Sequence, residues 1–293
     1  MGIGLGAVSS PSDLPTVDPQ LWIPALQAQL YMGNVCGRER FNLRVLAEPN
    51  NHDNLILAAL PVEERKRLQP FLEMVQLEAK ATLIEPGEPI RDMYFPIDMV
   101  TSTIQDLRDG SSVEIGLMGL EGLIGIQFWL QQETTTTRTI VQVAGTALKM
   151  SSRVFKREVM DKPSPLNKLV ASYIHAFLAM TGQTAACNRM HEVSTRLARW
   201  LSLVYDRVQR SEFALRQEFL AAMLGVHRPA VTIAAKTLQN AGLINYRRGY
   251  IAIEDPVALR ESACECYAII EAQFDQMFGR DWRERAQASR VMA

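Results

Sequence analysis

The spacing of apolar residues divides the chain into a β-rich part and a helical part. After short helical patterns in residues 54–72, short apolar runs alternate with Gly, Pro and Asp turn residues, including Pro86-Gly87 and Asp109-Gly110. Strands bounded by such turns are typical of a compact antiparallel barrel or roll. The predicted strands are Ala81–Ile84, Met93–Phe95, Met99–Ile104, Val113–Leu117, Thr139–Val143 and Ala147–Met150, with a further apolar segment at Ile126–Leu130.

The period becomes helical after Pro163 and Pro165. Apolar residues then recur at i, i+3, i+4 and i+7, which predicts a long amphipathic helix. Its seam either packs into its own domain or forms a dimer interface, and its position directly after a small β domain leads us to assign it to dimerisation. The seam residues are Leu166, Leu169, Val170, Tyr173, Ile174, Phe177, Leu178 and Thr181.

A second helix, Val193–Val208, shows the same kind of spacing and is expected to pack within its own domain. Two further helices follow, Gln217–Leu224 and Arg228–Asn240, separated by a tight turn at Gly225.

A basic hairpin comes next. Strands Leu243–Tyr246 and Tyr250–Ile253 flank the turn Arg247-Arg248-Gly249. Helix, turn, helix and wing is the arrangement that places one helix in the major groove of DNA and basic side chains on its phosphates.

The charge distribution supports this interpretation. The whole chain has a net charge of −1, but residues 189–254 contain ten basic and five acidic residues, a local charge of +5 that leaves −6 elsewhere. This asymmetry is the expected footprint of a DNA-binding module, although any one basic residue can also be a solvated surface charge.

The remaining composition indicates a soluble cytoplasmic protein. Four cysteines in 293 residues do not make a disulfide scaffold. The N-terminus has neither a basic nor an apolar signal region, and the most apolar stretch, residues 115–130, is too short for a bilayer. We therefore expect no membrane partner.

From Asn54 to Asp255 the chain resembles the CRP/FNR superfamily of bacterial transcription regulators. The resemblance rests on LIEPGEPIRDMYF (83–95), GLEGLIG (119–125), the long helix and LGVHRPAVTIAAKTLQNAGLI (224–244). It implies an α+β chain: an antiparallel, cyclic-nucleotide-binding-like β-roll joined by a long dimerisation helix to a C-terminal winged helix-turn-helix domain. It also implies a homodimer on a near-palindromic operator of double-stranded DNA, with RNA polymerase as a further partner.

Aligned on Gly225, the base-reading positions of the family fall on Arg228, Pro229 and Ile233, of which only the arginine is retained from the cAMP receptor protein. A different operator is therefore expected, because proline and isoleucine side chains cannot hydrogen-bond a base edge. The predicted base contacts are His227, Arg228 and Thr232. The predicted phosphate contacts are Gln217, Lys236, Arg247 and Arg248.

The effector pocket departs from the cAMP-binding pattern of the family. Gly125 is followed by Ile126, where cAMP binders have the glutamate that holds the ribose, whereas Arg138-Thr139 matches the phosphate pair. Loss of a buried acceptor weakens such a site, so these four residues predict a degenerate or repurposed pocket and argue against cAMP as the effector.

No resident cofactor is expected. An iron–sulfur sensor needs four thiolates with a cluster near the N-terminus, where only Cys36 lies. Cys264 and Cys266, if on one helix, would point apart and chelate poorly, so the cysteines are interpreted as ordinary thiols. His175 is expected on a polar surface or at the rim of a dimer.

These features predict five regions and no enzyme, since no catalytic constellation is found. The regions are an N-terminal extension (1–50), the β-roll (51–160), the dimerisation helix (161–187), the winged helix-turn-helix domain (188–257) and a helical C-terminal extension (258–293). The extension could cover the roll, extend a dimer or sit free. The alternative function is a cyclic-nucleotide or small-molecule sensor that acts mainly through protein contacts.

Overall fold

The computed structural model of the chain describes residues 54–208 and 210–285. The predicted N-terminal extension, a short helix expected near residues 26–31 and Cys36 lie outside the described residues. Within them, none of the helices combines the length and apolarity needed to span a membrane.

Seven strands form the roll as two antiparallel sheets, ordered β1-β7-β3 and β2-β6-β4-β5. Consecutive strands β6 and β7 lie in different sheets, so the chain crosses between the sheets at Ala144. Side chains alternate between the core and the outside, as the pleat requires: Met93 and Phe95 are fully buried, whereas Tyr94 is half-buried. The strands are β1 (Glu73–Leu77), β2 (Thr82–Ile84), β3 (Asp92–Pro96), β4 (Val100–Asp106), β5 (Ser112–Met118), β6 (Arg138–Val143) and β7 (Gly145–Ser151).

Short helices flank the roll. The side chain of Asn54 caps α1 and donates to the carbonyls of Pro96 and Gly122, which ties the start of the described chain to the roll. The helices are α1 (Leu55–Ala58), α2 (Val62–Leu68), α3 (Ile126–Trp129) and α4 (Ser152–Phe155), with a 3₁₀ turn at Gln69–Phe71 and a π turn at Lys156–Met160.

The roll differs from the sequence analysis in one predicted segment and in one strand that was not predicted. The segment Ile126–Leu130 forms helix α3 instead of continuing the strands, because Gly125 adopts a left-handed conformation (φ 97°) and starts a helical turn. A five-residue segment with four apolar residues fits either structure, so the pattern alone could not decide. Strand β1 was not predicted, because it is a poorly buried strand at the edge of its sheet.

The long helix, α5 (Pro165–Met190), extends well beyond the predicted seam. Ser164 caps its first turn and Pro165 occupies its first position, where a missing N–H costs nothing. Six of the eight seam residues are buried inside the chain, against β5, α1 and the C-terminal extension. Leu178 is 62% exposed and Thr181 is half-buried.

The C-terminal half has the predicted helices and wing strands in the predicted order, together with one strand, β8, that was not predicted. Helix α6 (Val193–Val208) leads through strand β8 (Glu212–Ala214) to α7 (Gln217–Leu224) and α8 (Arg228–Asn240). Strands β9 (Ile244–Arg247) and β10 (Tyr250–Ile253) join β8 in a third antiparallel sheet, ordered β8-β10-β9. The extension contains α9 (Pro256–Glu261) and α10 (Cys266–Phe278), and α10 packs along α5 and α6.

One fully buried arginine joins these parts. Arg207 of α6 donates through Nε to Glu121 of the roll at 2.7 Å, and its Nη1 lies 3.4 Å from Glu271 of α10. Its guanidinium also stacks on the ring of Phe274. Burial alone would lower the pKa of Arg207, but the charges of Glu121 and Glu271 raise it above the ordinary value, so the side chain stays charged.

The GLEGLIG segment makes this contact possible. Glu121 supplies the carboxylate, and Gly119 lets the arginine approach, since a Cβ at Gly119 would lie 2.7 Å from the Cβ of Arg207. The segment is therefore structural: it fixes helix α6 to the roll.

A second buried network joins the roll to α6 and α7. Glu114 of β5 accepts hydrogen bonds from Ser102 and from Trp200 Nε1, the latter at 2.9 Å. Gln142 donates to Ser102 at 2.7 Å and contacts the sulfur of Met223 in α7. Burial raises the pKa of Glu114 to about 7.

We expect Arg207→Met to lower the free energy of unfolding by about 3–5 kcal/mol, because it leaves Glu121 buried without its counter-charge and leaves Glu271 paired with Arg283 alone. Urea denaturation measures the change. Arg153→Met, at an exposed position on α4, is the control and should have little effect. A loss below about 1 kcal/mol for Arg207→Met would contradict the role of this contact.

The Glu114 network predicts a pH-dependent stability. Between about pH 4.5 and 7 the folded state keeps the proton on Glu114 while the unfolded state has released it, so raising the pH favours unfolding. This group should reduce stability by about 2 kcal/mol from pH 5 to 8.

Denaturation midpoints across that range test the expectation. Glu114→Gln, which keeps an acceptor for Trp200, should flatten this part of the profile, whereas Glu78→Gln at an exposed position should leave it unchanged. Identical profiles for the wild type and Glu114→Gln would show that the network does not titrate in this range.

Candidate nucleic-acid interface

The turn between α7 and α8 sets how the second helix is presented. Gly225 ends α7 in the left-handed conformation (φ 58°), and His227 and Pro229 start α8. One face of α8 packs into the domain through buried Val231, Ala234, Ala235 and Leu238. The opposite face is open to solvent.

Two of the three predicted base-contact residues lie at the exposed start of α8. His227 and Arg228 are exposed, and Arg228 pairs with Glu218 of α7 at 2.9 Å. Both side chains of this pair are more than 60% exposed, so the pair contributes little stability and can open when a stronger partner arrives.

The third predicted residue, Thr232, is less available. It is half-buried, and its hydroxyl lies 3.0 Å from Gln217 Oε1 and 3.2 Å from the carbonyl of Arg228. Thr232 and Gln217, predicted to contact a base and a phosphate respectively, are thus hydrogen-bonded to each other. Ile233, one position further, is 67% exposed.

The wing carries the other predicted phosphate contacts. Arg247 and Arg248 are exposed at the turn between β9 and β10, where Arg248 has a positive φ of 48°. The hydroxyl of Tyr246 donates to the carbonyl of Leu215 at 2.9 Å and holds the base of the wing against the start of α7. Lys236 is exposed on α8.

The surface is less basic than the sequence suggests. Arg196, Arg199 and Arg207, counted in the predicted charge of +5, are buried, and so is Asp206. Within the segment 189–254, seven basic and four acidic side chains are exposed, a net exposed charge of +3. Two of the buried arginines make contacts within the fold: Arg207 binds Glu121 and Glu271, and Arg196 donates to the carbonyl of Leu224 and to Asn188.

The residues that match the cyclic-nucleotide pocket are already engaged. Arg138 binds Asp106 through two hydrogen bonds of 2.8 and 3.1 Å. Hydrogen bonds from Ser112 and Arg138 lower the pKa of Asp106, so this carboxylate stays ionised. Thr139 and Ile126 are buried, and Gly125 starts α3. A cyclic phosphate would therefore have to displace Asp106 from Arg138.

Several structurally important residues were missed by sequence reasoning. Glu114 and Glu121 lie in apolar segments, which is a signal for buried charge, but the sequence does not indicate their partners Trp200 and Arg207. The assumed placement of Cys264 and Cys266 on one helix is wrong, because Cys264 precedes α10. Their thiols, with Cys187 and His191, form a cluster that could hold a metal ion.

Comparisons with known proteins address the same regions. Residues 195–262, from α6 through the wing and α9, match the Crp-like helix-turn-helix domain. The sequence has no significant match among curated proteins.

Solved structures of regulators share the fold. A CRP-family transcriptional regulator from Thermus thermophilus aligns with a TM-score of 0.53 at 18% identity over 64% of this chain and 96% of that chain. FixK2 from Bradyrhizobium japonicum gives 0.53 at 10% identity over 66% and 98%. The c-di-GMP-responsive regulator CLP of Xanthomonas campestris gives 0.51 at 15% identity over 67% and 100%.

At these identities the structural likeness establishes the fold, an α+β roll joined to a winged helix-turn-helix domain. The matched domain covers the elements that carry the exposed face of α8. Residues 195–262 thus match a Crp-like helix-turn-helix domain, and the described chain is similar in fold to solved regulators of the CRP/FNR family.

Proposed function

We propose that this protein is a sequence-specific DNA-binding transcriptional regulator that acts as a homodimer on a near-palindromic operator. The observation that carries the proposal is the exposed face of α8, which starts with His227 and Arg228 and lies beside a basic wing. An exposed helix start of this kind suits the major groove, and a basic wing suits the flanking phosphates.

Within this proposal, Arg228 and His227 read base edges. Arg228 can form a bidentate contact with guanine after leaving Glu218, a partner that costs little to lose because the pair is solvated. Thr232 contributes if its hydroxyl turns away from Gln217. The exposed side chain of Ile233 is suited to apolar contact with a thymine methyl group.

Phosphate contact is assigned to the exposed side chains of Lys236, Arg247 and Arg248. Gln217, the first residue of α7, is assigned a further phosphate contact. The modest excess of exposed basic residues fits a protein whose non-specific DNA affinity is low and whose selectivity comes from base contacts. Contact with RNA polymerase remains a prediction from the family resemblance.

The dimer interface is assigned to the outward face of α5, since most of the predicted seam faces inward. The exposed positions Ala171, His175, Leu178, Gly182 and Ala185 recur at alternating spacings of three and four residues. This is the spacing of a coiled-coil seam, and small residues permit close approach of a second helix. Of the predicted seam residues, Leu178 belongs to this face.

The pocket at Gly125, Ile126, Arg138 and Thr139 is assigned a degenerate or repurposed role. The ion pair between Arg138 and Asp106 supports this, because the arginine predicted to bind the cyclic phosphate is already paired with a carboxylate of the protein. cAMP is not the proposed effector.

Selection of bound duplexes from a random DNA pool tests the function directly. We expect one enriched, near-palindromic sequence. On that duplex, Arg228→Ala should weaken binding by about 1–3 kcal/mol, roughly 5- to 150-fold, and relax the preference at one base pair of each half-site. Absence of affinity for duplex DNA at low salt would reject the proposal and favour a sensor that acts through protein contacts.

Lys236→Ala should behave differently from Arg228→Ala. It should weaken binding to all duplexes about equally, because it removes a phosphate contact. The slope of log binding constant against log salt concentration should become shallower by about one per chain. Arg153→Ala, on the roll, is the matched control and should change neither affinity nor slope. A base-pair-specific effect of Lys236→Ala would contradict its assignment.

Leu178→Glu should shift the protein from dimer to monomer, because it places a charge at the centre of the proposed interface. Light scattering after size-exclusion chromatography measures the mass. Leu107→Glu, at an exposed position on the roll, is the control and should leave the mass unchanged. A dimer that tolerates Leu178→Glu would move the interface away from α5.

A further inference from the structure

Three cysteines and one histidine from distant parts of the sequence meet at the C-terminal end of α5. Cys187 lies in the last turn of this helix and His191 directly follows it, whereas Cys264 lies just before α10 and Cys266 is its first residue. Their donor atoms all lie within 4.8 Å of one another. The sulfurs of Cys187 and Cys264 are 3.5 Å apart, and the sulfur of Cys266 is 3.4 Å from His191 Nδ1.

These separations match a tetrahedral zinc site. With Zn–S bonds of about 2.3 Å and Zn–N bonds of about 2.0–2.1 Å, ligand atoms at the corners of a tetrahedron are about 3.6–3.8 Å apart. Two of the six separations are close to this range, and none of the six exceeds 4.8 Å, so a small closure of the four side chains would complete the tetrahedron. Three cysteines and one histidine are one of the standard ligand sets of structural zinc.

The surroundings of the four side chains also fit metal binding. His191 Nε2 lies 3.1 Å from Glu265 Oε1, so an N–H at Nε2 leaves the lone pair of Nδ1 directed at the cysteines. A carboxylate that orients a ligating histidine in this way is a common outer partner of zinc. Gln183 donates a hydrogen bond of 3.0 Å to the sulfur of Cys266.

Burial and charge distinguish the cluster from ordinary thiols. Cys187 and Cys266 are fully buried and Cys264 nearly so, and the three form a small core of their own, separate from the main hydrophobic core. Three thiolates and a neutral histidine around Zn²⁺ carry a net charge of −1. The buried guanidinium groups of Arg196 and Arg199 interact electrostatically with Cys187 and can offset that charge.

The position of the cluster suggests what an ion there would hold. His191 lies in the short break between the end of α5 at Met190 and the start of α6 at Val193. Its backbone is extended (φ −109°, ψ 154°), so this residue sets the change of direction between the two helices. A metal bound to His191 would fasten this junction to the C-terminal extension.

We propose that Cys187, His191, Cys264 and Cys266 bind one Zn²⁺ ion, which fixes the junction between the long helix and the DNA-binding domain. The ion site itself is independent of the function proposed above. The effect on DNA binding rests on that function, since α5 is the assigned dimer helix and α6 begins the matched domain. Losing the ion frees the junction and alters the relative placement of the two α8 helices in the dimer.

The metal content of the full-length protein is the first test. Cells are grown in medium that contains zinc and iron, and the protein is purified without added chelator. Inductively coupled plasma mass spectrometry should then find one zinc per chain. Exchange with Co²⁺ should give the intense visible absorption of a tetrahedral, thiolate-bound cobalt ion. Less than a tenth of a zinc per chain, together with no cobalt spectrum, would overturn the proposal.

Two other results would also overturn it. Iron with acid-labile sulfide and broad visible absorption would identify an iron–sulfur cluster in place of zinc. A disulfide between Cys187 and Cys264 in metal-free protein that takes up neither Zn²⁺ nor Co²⁺ would identify a redox pair.

Variants identify the ligands. Cys264→Ser and His191→Ala should each reduce zinc affinity at least tenfold in competition with a chromophoric chelator, whereas Glu261→Gln, at an exposed position on α9, should not. Because removing a buried cysteine can unfold the protein, Glu265→Gln provides a gentler test at an exposed side chain. It should lower zinc affinity by about 10–100-fold while leaving circular dichroism unchanged. Unchanged affinity in both His191→Ala and Glu265→Gln would reject the assigned site.

Chelation separates the site from the function. Removing zinc should weaken binding to the selected operator, and adding zinc back should restore it. In His191→Ala, neither removal nor addition of zinc should change operator binding. Equal operator binding with and without zinc would overturn the proposed effect on the junction, while the metal content would still support the site. No DNA binding in either state would reject the proposed function alone.

Discussion

The fold depends on a single buried charge. Arg207 is fully enclosed, yet its guanidinium touches the roll through Glu121, its own helix through the carbonyl of Leu203, and the C-terminal extension through Glu271. A charge taken out of water is tolerated only where its partners are fixed, so the three parts of the chain must assemble together. The glycine at position 119, close to Glu121, is required for the same reason, because any side chain there would push the arginine away.

Local patterns predicted most of the elements, and tertiary contacts account for the exceptions. The limits of α6, α7 and α8 follow from apolar periodicity and from Gly225 and Pro229, which act within a few residues. The segment at Ile126 was misjudged because its apolar run suits either a strand or a helix. The face of α5 was misjudged because an apolar seam indicates burial without saying what buries it; here β5 and α10 do, and neither is near α5 in sequence.

The candidate site was predictable to a similar degree. The exposed start of α8 and the basic wing were visible from the turn residues. The local charge was overestimated, because a sequence count cannot separate Arg196, Arg199 and Arg207, which are buried within the fold, from arginines that face solvent. The cluster of Cys187, His191, Cys264 and Cys266 was missed because its halves lie far apart in the chain, and because Cys264 was assumed to belong to the helix that starts at Cys266.

The inward orientation of the α5 seam has a consequence for how such a protein responds to its own abundance. Six of the eight residues of the predicted seam are buried within one chain, so a solitary chain leaves little of that seam exposed. In the dimer proposed above, pairing through the outward residues of this helix would then be reversible. Below the concentration at which pairs dominate, occupancy of a two-fold site grows with the square of the chain concentration. Small changes in synthesis would thereby become larger changes in output.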